Sequence, residues 1–408
     1  KFAIASPLIL STTFLWFDYS HLATQDLTYS CLVTIGIFSI VKIKKDRESG
    51  YIFLFGIWIG LAFMMKTFLV AIPLVSLLPY LIKKKYILAS KAFWFGLIFG
   101  FIPFLLWTIS IDKFLDRNII FYLLDKFNTL SKENNFTNPF YYYLWNIPVT
   151  YLPWSIFSII GLIYVLKNKN YQSLILFYFP LILILLISSF STKTPYYPLQ
   201  ISSIFSLNAF VGIKSLIESK KLKFVFILIT SRIIPFFILL VICTYIFIFK
   251  TTVNFNIKEN TFLILGLISF SLSWSLIKKN QTFKSLISTL IIGPYLMTFC
   301  FLQSGLFTDR SREIRETMEY VSSLKIINGQ SIKVDKSSIG NTESHSKIIK
   351  IALLTPNLGE GIKNIKSLKT SEFVWTTLPK IEHKQDQSLQ LIYENKILSP
   401  WKLIRKSF

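Results

Sequence analysis

Isolated polar side chains between long apolar runs are the groups of this sequence that could do chemistry. They are Asp26, Lys66 and the turn Lys193-Thr-Pro-Tyr196-Tyr197. A group that ionises beside a bilayer is costly unless it is paired or functional. Lysine with tyrosine hydroxyls supplies a charge and oriented donors, which suits a phosphate held at a membrane surface. The pattern therefore predicts a site, and Asp26 would help to shape it.

Each of these points also has a structural explanation. Thr24 or Asp26 could cap the next helix, and Lys66 could extend to the bilayer surface. The prolines and tyrosines of the third point could form a rigid turn in an interfacial aromatic belt. Lys126-Phe127 and Leu152-Pro153-Trp154 are most simply a solvated charge and an interface anchor. The shared face and the chain order of the five points favour function over these alternatives.

Composition places most of the chain in lipid. The 408 residues are 52% hydrophobic and 16% charged, and the mean hydropathy is +0.53. Apolar runs predict an all-α polytopic protein with eleven membrane spans, because a perpendicular span needs about 20 residues. The spans are expected near 2–17, 27–42, 51–65, 68–82, 92–111, 146–166, 172–190, 197–214, 224–249, 261–277 and 285–306.

The basic residues define the expected orientation. The net charge of +23 is carried mainly by short loops, with 17 Lys and Arg on one face and 8 on the other. This asymmetry predicts a cytoplasmic face by the positive-inside rule and argues against nucleic acid as a partner. The apolar stretch 51–82 would rise about 48 Å as one helix, so we predict a tight re-entry at Lys66. Asp26, Lys66 and Lys193 then share the outer face.

Two segments lie outside the spans. The loop 112–145 mixes acids and bases with apolar residues at near-helical spacing, which predicts amphipathic helices on the outer surface. From 307 the chain becomes polar, so we predict a membrane domain over 1–306 and an extracytoplasmic α/β domain over 307–408. Apolar runs in the second domain predict strands at 331–335, 348–355, 372–378, 388–394 and 401–405.

Metal and redox chemistry have little support in the sequence. Three cysteines lie inside apolar runs and three histidines are scattered, so neither residue type has metal-ligand spacing. We predict no metal ligands and no certain cofactor, and leave a divalent metal requirement open. The chain opens within an apolar stretch without an initiator methionine. From that start we expect a missing N-terminal segment.

Taken in order, the motifs resemble the GT-C glycosyltransferases of the aminoarabinose transferase and protein O-mannosyltransferase group. The matching elements are Ala23-Thr-Gln-Asp26-Leu, Gly60-Leu-Ala-Phe-Met-Met-Lys66, Asp125-Lys126-Phe127, Leu152-Pro-Trp154 and Lys193-Thr-Pro-Tyr196-Tyr197-Pro-Leu. The resemblance implies about thirteen spans, of which eleven are present. It also implies a catalytic acid in a first outer loop upstream of Lys1, and a lysine at 126 where relatives often have arginine.

The resemblance implies an enzyme that moves a sugar from a polyprenyl-phosphate donor to a lipid or protein acceptor. It would act at the outer face of a bacterial inner membrane, with the expected phosphate ligands Lys66, Lys126, Lys193, Tyr196 and Tyr197. Asp26 would shape the pocket or orient the acceptor. The alternatives are a transporter or flippase of a lipid-linked sugar, and an O-antigen ligase or polymerase. Transporters usually place ionisable groups near the bilayer midplane on broken helices.

Overall fold

The computed structural model divides the chain into two compact units, Lys1–Thr308 and Asp309–Phe408. It describes residues 4–22, 24–43, 49–115, 119–132, 138–168, 173–249, 257–305, 311–327, 329–338, 342–363, 365–377 and 389–407. The predicted fold class, a helical membrane protein with a small α/β domain, is confirmed.

The first unit is helical because its backbone polar groups must be satisfied within each segment where lipid replaces water. Its helices are α1 Ala5–Ser11, α2 Phe14–Ser20, α3 Gln25–Lys42, α4 Ser49–Lys66, α5 Ala71–Lys83, α6 Tyr86–Ala89, α7 Lys91–Leu115, α8 Ile119–Lys132, α9 Tyr142–Thr150, α10 Ser155–Lys167, α11 Phe179–Ser189, α12 Ser202–Glu218, α13 Lys220–Leu228, α14 Ile234–Phe249, α15 Ile257–Ser275 and α16 Phe283–Ser304.

Length and composition single out fewer membrane-crossing helices than the eleven predicted spans. Within the described residues, five helical runs are long and apolar enough: Ser49–Lys83, Lys91–Phe114, Tyr197–Glu218, Leu222–Phe247 and Phe283–Ser304. A sixth is formed if α9 and α10, which meet at 113°, count as one broken span. The segments Leu174–Ser189 and Asn260–Ser275 are apolar but shorter. The first predicted span, 2–17, is divided into α1 and α2.

The longest run, Ser49–Lys83, reverses direction at Lys66. Lys66 lies beside Asp26 in the first turn of α3. Farther along, the Tyr80 hydroxyl donates to the Ile40 carbonyl near the other end of α3, at 3.1 Å. The reversal uses the 3₁₀ turn Thr67–Val70, and Thr67 has a φ of +50°. The chain therefore re-enters the bundle after Lys66, as the length of the apolar stretch predicts.

Paired glycines set the packing of α4 on α7. A Cβ on Gly60 would lie 2.1 Å from the carbonyl carbon of Gly100, and one on Gly96 would lie 2.1 Å from the carbonyl oxygen of Phe53. Small residues four positions apart on both helices allow backbone contact, which is the main source of helix association in lipid. This crossing holds α4, and with it Lys66 at the end of α4.

A second close crossing joins α10 and α12. A Cβ on Gly161 would lie 1.9 Å from the Asn208 carbonyl oxygen. The Asn208 side chain is fully buried and donates its Nδ2 to the Leu176 carbonyl at 2.8 Å. Leu176 lies in the π-turn Leu174–Tyr178, four residues before Pro180. Since proline has no N–H for the carbonyl four residues back, Asn208 supplies the missing donor.

Replacing Asn208 with alanine should destabilise the first unit by about 1–3 kcal/mol, because the Leu176 carbonyl would stay buried without a donor. Thermal unfolding in detergent measures the effect. Asn280→Ala is the matched control, since Asn280 is exposed in the turn between α15 and α16. Equal unfolding temperatures for the two variants would contradict this account of the π-turn.

Trp154 is a core residue and not the interface anchor considered above. It is 1% exposed, and its indole N–H donates to Thr12 Oγ1 at 2.9 Å. Its ring packs against Trp274 with centroids 6.3 Å apart. The buried side chain therefore joins the start of α10 to the break between α1 and α2.

The second unit carries a four-stranded sheet in the order β1-β2-β4-β3. The strands are β1 Ile332–Val334, β2 Phe373–Thr376, β3 Leu389–Glu394 and β4 Lys402–Lys406, with β1 parallel to β2 and the other pairs antiparallel. Two helices accompany them, α17 Arg312–Ser323 and α18 Thr342–Leu354. The strand predicted at 348–355 is wrong. Ile348 and Ile351 are buried three residues apart, which is a helical period.

Candidate functional site

Asp26 and Lys66 form an ion pair at one end of the helix bundle. Lys66 Nζ lies 2.7 Å from Asp26 Oδ1, and the side chains are 14% and 18% exposed. α3 begins one residue before Asp26, and α4 ends at Lys66. The carboxylate also lies at the helix N-terminus, where a negative charge is favourable. The structure thus joins two predicted site residues, but the Lys66 charge is already paired.

Lys193 is a buried cation in the turn that follows α11. It is 5% exposed, and its Nζ donates to the Phe190 carbonyl at 2.6 Å. In the described part of the chain, no carboxylate lies within ion-pair distance of this ammonium. The carbonyl at the α11 C-terminus compensates only partly, because burying a charge costs free energy unless it is paired. The geometry leaves Lys193 able to take an anion.

Two side chains fix the backbone around Lys193. Asn138 Nδ2 donates to the Lys193 carbonyl at 3.2 Å. The Tyr143 hydroxyl donates to the Thr194 carbonyl at 3.0 Å. Both residues lie in or just before α9, within a segment rich in aromatic residues that has no recognisable motif. They are not among the predicted site residues, because no signal in the sequence distinguishes them from their neighbours.

Tyr196 and Tyr197 lie next to the ion pair. Their rings pack edge to face with centroids 5.3 Å apart, and Tyr196 also contacts Tyr19 at 5.7 Å. Burial raises the pKa of the Tyr196 phenol, and the negative charge of Asp26 raises it further. The phenol therefore stays protonated at neutral pH, and it can donate a hydrogen bond to an anion.

Hydrogen bonds anchor this turn to the neighbouring helices. The 3₁₀ turn Tyr197–Ile201 follows Tyr196 directly. Ser30 on α3 donates to its Leu199 carbonyl at 2.5 Å, and Tyr151 donates to its Pro198 carbonyl at 2.6 Å. Because the same helix α3 carries Asp26, the acid and the tyrosines are held by one element. The site is thus built on packed helices.

Lys126 is the predicted site residue whose side chain lies outside the described residues. Its backbone belongs to α8, the helix expected in the outer loop. No cluster of three or more His, Cys, Asp or Glu side chains in the described ranges could hold a metal ion. The groups brought together are Asp26, Lys66, Tyr196 and Tyr197, with Lys193 three residues before Tyr196.

Comparison with known proteins supports the predicted resemblance. Residues 1–109 match the family model of the dolichyl-phosphate-mannose-protein mannosyltransferases. No curated protein sequence matches the chain. The segment that matches the family model, residues 1–109, includes Asp26 and Lys66 but not the Lys193 turn.

Two solved structures share the fold. The chain matches ArnT from Cupriavidus metallidurans in the apo state with a TM-score of 0.70 and 13% identity, over 98% of this chain and 77% of that one. It matches the same protein bound to undecaprenyl phosphate with a TM-score of 0.68 and 12% identity, over the same shares. The resemblance predicted from the order of the motifs is therefore confirmed: residues 1–109 carry the sequence pattern of the dolichyl-phosphate-mannose-protein mannosyltransferases, and the chain has the fold of ArnT.

Proposed function

We propose that this protein is a glycosyltransferase that takes a sugar from a polyprenyl-phosphate donor. The observation that carries the proposal is Lys193, a buried ammonium with no carboxylate beside it in the described residues. A phosphate would supply the missing negative charge. The fold agrees, since one of the two similar ArnT structures is bound to undecaprenyl phosphate.

The site chemistry suits a phosphate leaving group. An oxygen of the acceptor attacks the anomeric carbon, and the bond from that carbon to the phosphate oxygen breaks. The electron pair stays on the phosphate, which changes from a diester with one negative charge to a monoester with up to two. In this proposal Lys193 and the Tyr196 phenol stabilise the added charge, which lowers the barrier if the interaction is stronger in the transition state.

Lys66 and Asp26 contribute differently. Lys66 is paired with Asp26 in the structure. To bind a phosphate, its ammonium must either contact the phosphate and Asp26 together or break the ion pair. Asp26 shapes the pocket and directs Lys66, while the proton of the acceptor goes to another base. Lys126, on α8, is proposed as a further phosphate ligand.

The acceptor is a lipid or a protein, and the reaction takes place at the outer face of a bacterial inner membrane. Two features support this placement. Seventeen Lys and Arg residues lie in the loops of the opposite face, which marks that face as cytoplasmic. Asp26 and Lys66 lie at the opposite end of α3 from the basic residue Lys42, whereas transporters usually place their ionisable groups near the bilayer midplane.

Lys66→Ala and Lys193→Ala should each lower transfer from a radiolabelled polyprenyl-phosphate sugar by about 100-fold or more, the usual cost of losing one charge-stabilising group. The full chain in native membranes is the material, and labelled acceptor is the readout. Lys42→Ala is the matched control, because Lys42 ends α3 at the opposite end from Asp26 and is exposed. Wild-type rates in both lysine variants would overturn the proposed function.

A further inference from the structure

A cavity with both polar and apolar walls lies at the end of the bundle opposite the Asp26–Lys66 pair. It occupies about 190 Å³ between the last turns of α10 and α12 and the π-turn Leu174–Tyr178. The whole length of α12, from the Tyr197 turn to Glu218, separates it from the candidate site. One water molecule needs only about 10–15 Å³ of such cavity volume. The cavity therefore has room for a polar group of several heavy atoms.

Two opposite charges stand side by side at this cavity. Lys214 Nζ and Glu218 Oε1 are 3.7 Å apart on α12, and both side chains are more than half exposed. An exposed pair of this kind contributes little to folding by itself. It does present a cation and an anion to any ligand in the cavity. Asn168 and Ser215 line the same space.

The remaining walls are apolar. Val165, Leu176 and Val211 line the cavity between the helices. Tyr164 lines it as well, and its side chain is 42% exposed. An exposed tyrosine near the end of a membrane helix typically lies at the bilayer surface. The cavity thus combines a zwitterionic mouth with a lipid-facing border.

We propose that this cavity binds the headgroup of a zwitterionic phospholipid that carries a primary amine, the phosphoethanolamine type. The lipid phosphate accepts hydrogen bonds from Lys214 and from the Asn168 amide. The ammonium group donates to Glu218, and the acyl chains leave the cavity past the exposed Tyr164. A purely anionic headgroup would meet repulsion from Glu218. A choline headgroup has no N–H to donate to this carboxylate.

Native mass spectrometry tests the proposal with the full chain in mild detergent, after exchange into equal amounts of phosphatidylethanolamine, phosphatidylcholine and phosphatidylglycerol. The wild-type chain should retain phosphatidylethanolamine in preference to the other two. Lys214→Gln and Glu218→Gln should each lower its retention by about fivefold, as expected for one partly exposed charged contact. Glu218→Gln should also remove the preference over phosphatidylcholine.

Lys223→Gln is the matched control, because it removes a charge near the same end of the bundle but outside the cavity. Retention that falls equally in Lys214→Gln and Lys223→Gln would overturn the proposal, and so would retention unchanged in both cavity variants. Glycerophosphoethanolamine has the headgroup without acyl chains. If it binds as tightly as the lipid, the site belongs to a soluble compound and the lipid assignment is wrong.

Discussion

Replacing Gly60 with leucine should lower the free energy of unfolding of the first unit by about 3 kcal/mol or more. Overpacking usually costs about 1–3 kcal/mol when flexible side chains can move aside. Here the new Cβ would lie 2.1 Å from the Gly100 carbonyl carbon and 2.5 Å from the Phe101 nitrogen, both backbone atoms of α7. Backbone in a packed helix cannot move aside without separating α4 from α7. Thermal unfolding in detergent, followed by size-exclusion chromatography, measures the loss.

The same helix offers a control for this change. Gly50 lies in the first turn of α4, and a Cβ there would meet no atom within 4 Å. Gly50→Leu adds the same side chain to the same helix, so it should leave the unfolding temperature nearly unchanged. If the two leucine variants unfold at the same temperature, the glycine crossing does not determine how α4 packs. Separation of α4 should also carry Lys66 away from Asp26 and reduce sugar transfer.

Sequence reasoning succeeded where one physical constraint dominates. The re-entry after Lys66 follows from length alone, because a 32-residue apolar stretch cannot cross a bilayer about 30 Å thick as one straight helix. The structure confirms it with contacts from Lys66 and Tyr80 to opposite ends of α3. The sequence predicts that Asp26 and Lys66 lie on the same membrane face, but not that they are in contact. Their ion pair depends on the exact packing of α3 on α4.

Other features depend on packing that no local pattern reveals. The chain breaks between α1 and α2 within a continuous apolar run, where Trp154 donates to Thr12 from far along the sequence. Asn208 compensates for a proline on another helix. Asn138 and Tyr143 hold the Lys193 turn through backbone carbonyls, so their side chains follow no motif. The strand predicted at 348–355 from its apolar residues is also wrong, because a short apolar run fits a helix and a strand equally well.

Variants of the Asp26–Lys66 ion pair should show whether the pair serves stability, catalysis or both. Asp26→Leu and Lys66→Met should each destabilise the protein by about 3 kcal/mol, because each leaves a mostly buried charge without its partner. The double variant should regain most of that stability, since replacing both charges with apolar groups is often nearly neutral. Unfolding of all four proteins in detergent gives the coupling free energy directly.

Sugar transfer by the same four proteins should follow a different order. If Lys66 acts on the donor phosphate, the stable double variant stays as inactive as Lys66→Met, because no repacking restores a positive charge at that position. If the pair were only structural, transfer would return together with stability in the double variant. Recovery of activity in the absence of both charges would thus remove Lys66 from the phosphate site. It would leave Lys193, which has no carboxylate partner in the described part of the chain, as the cation that binds the donor.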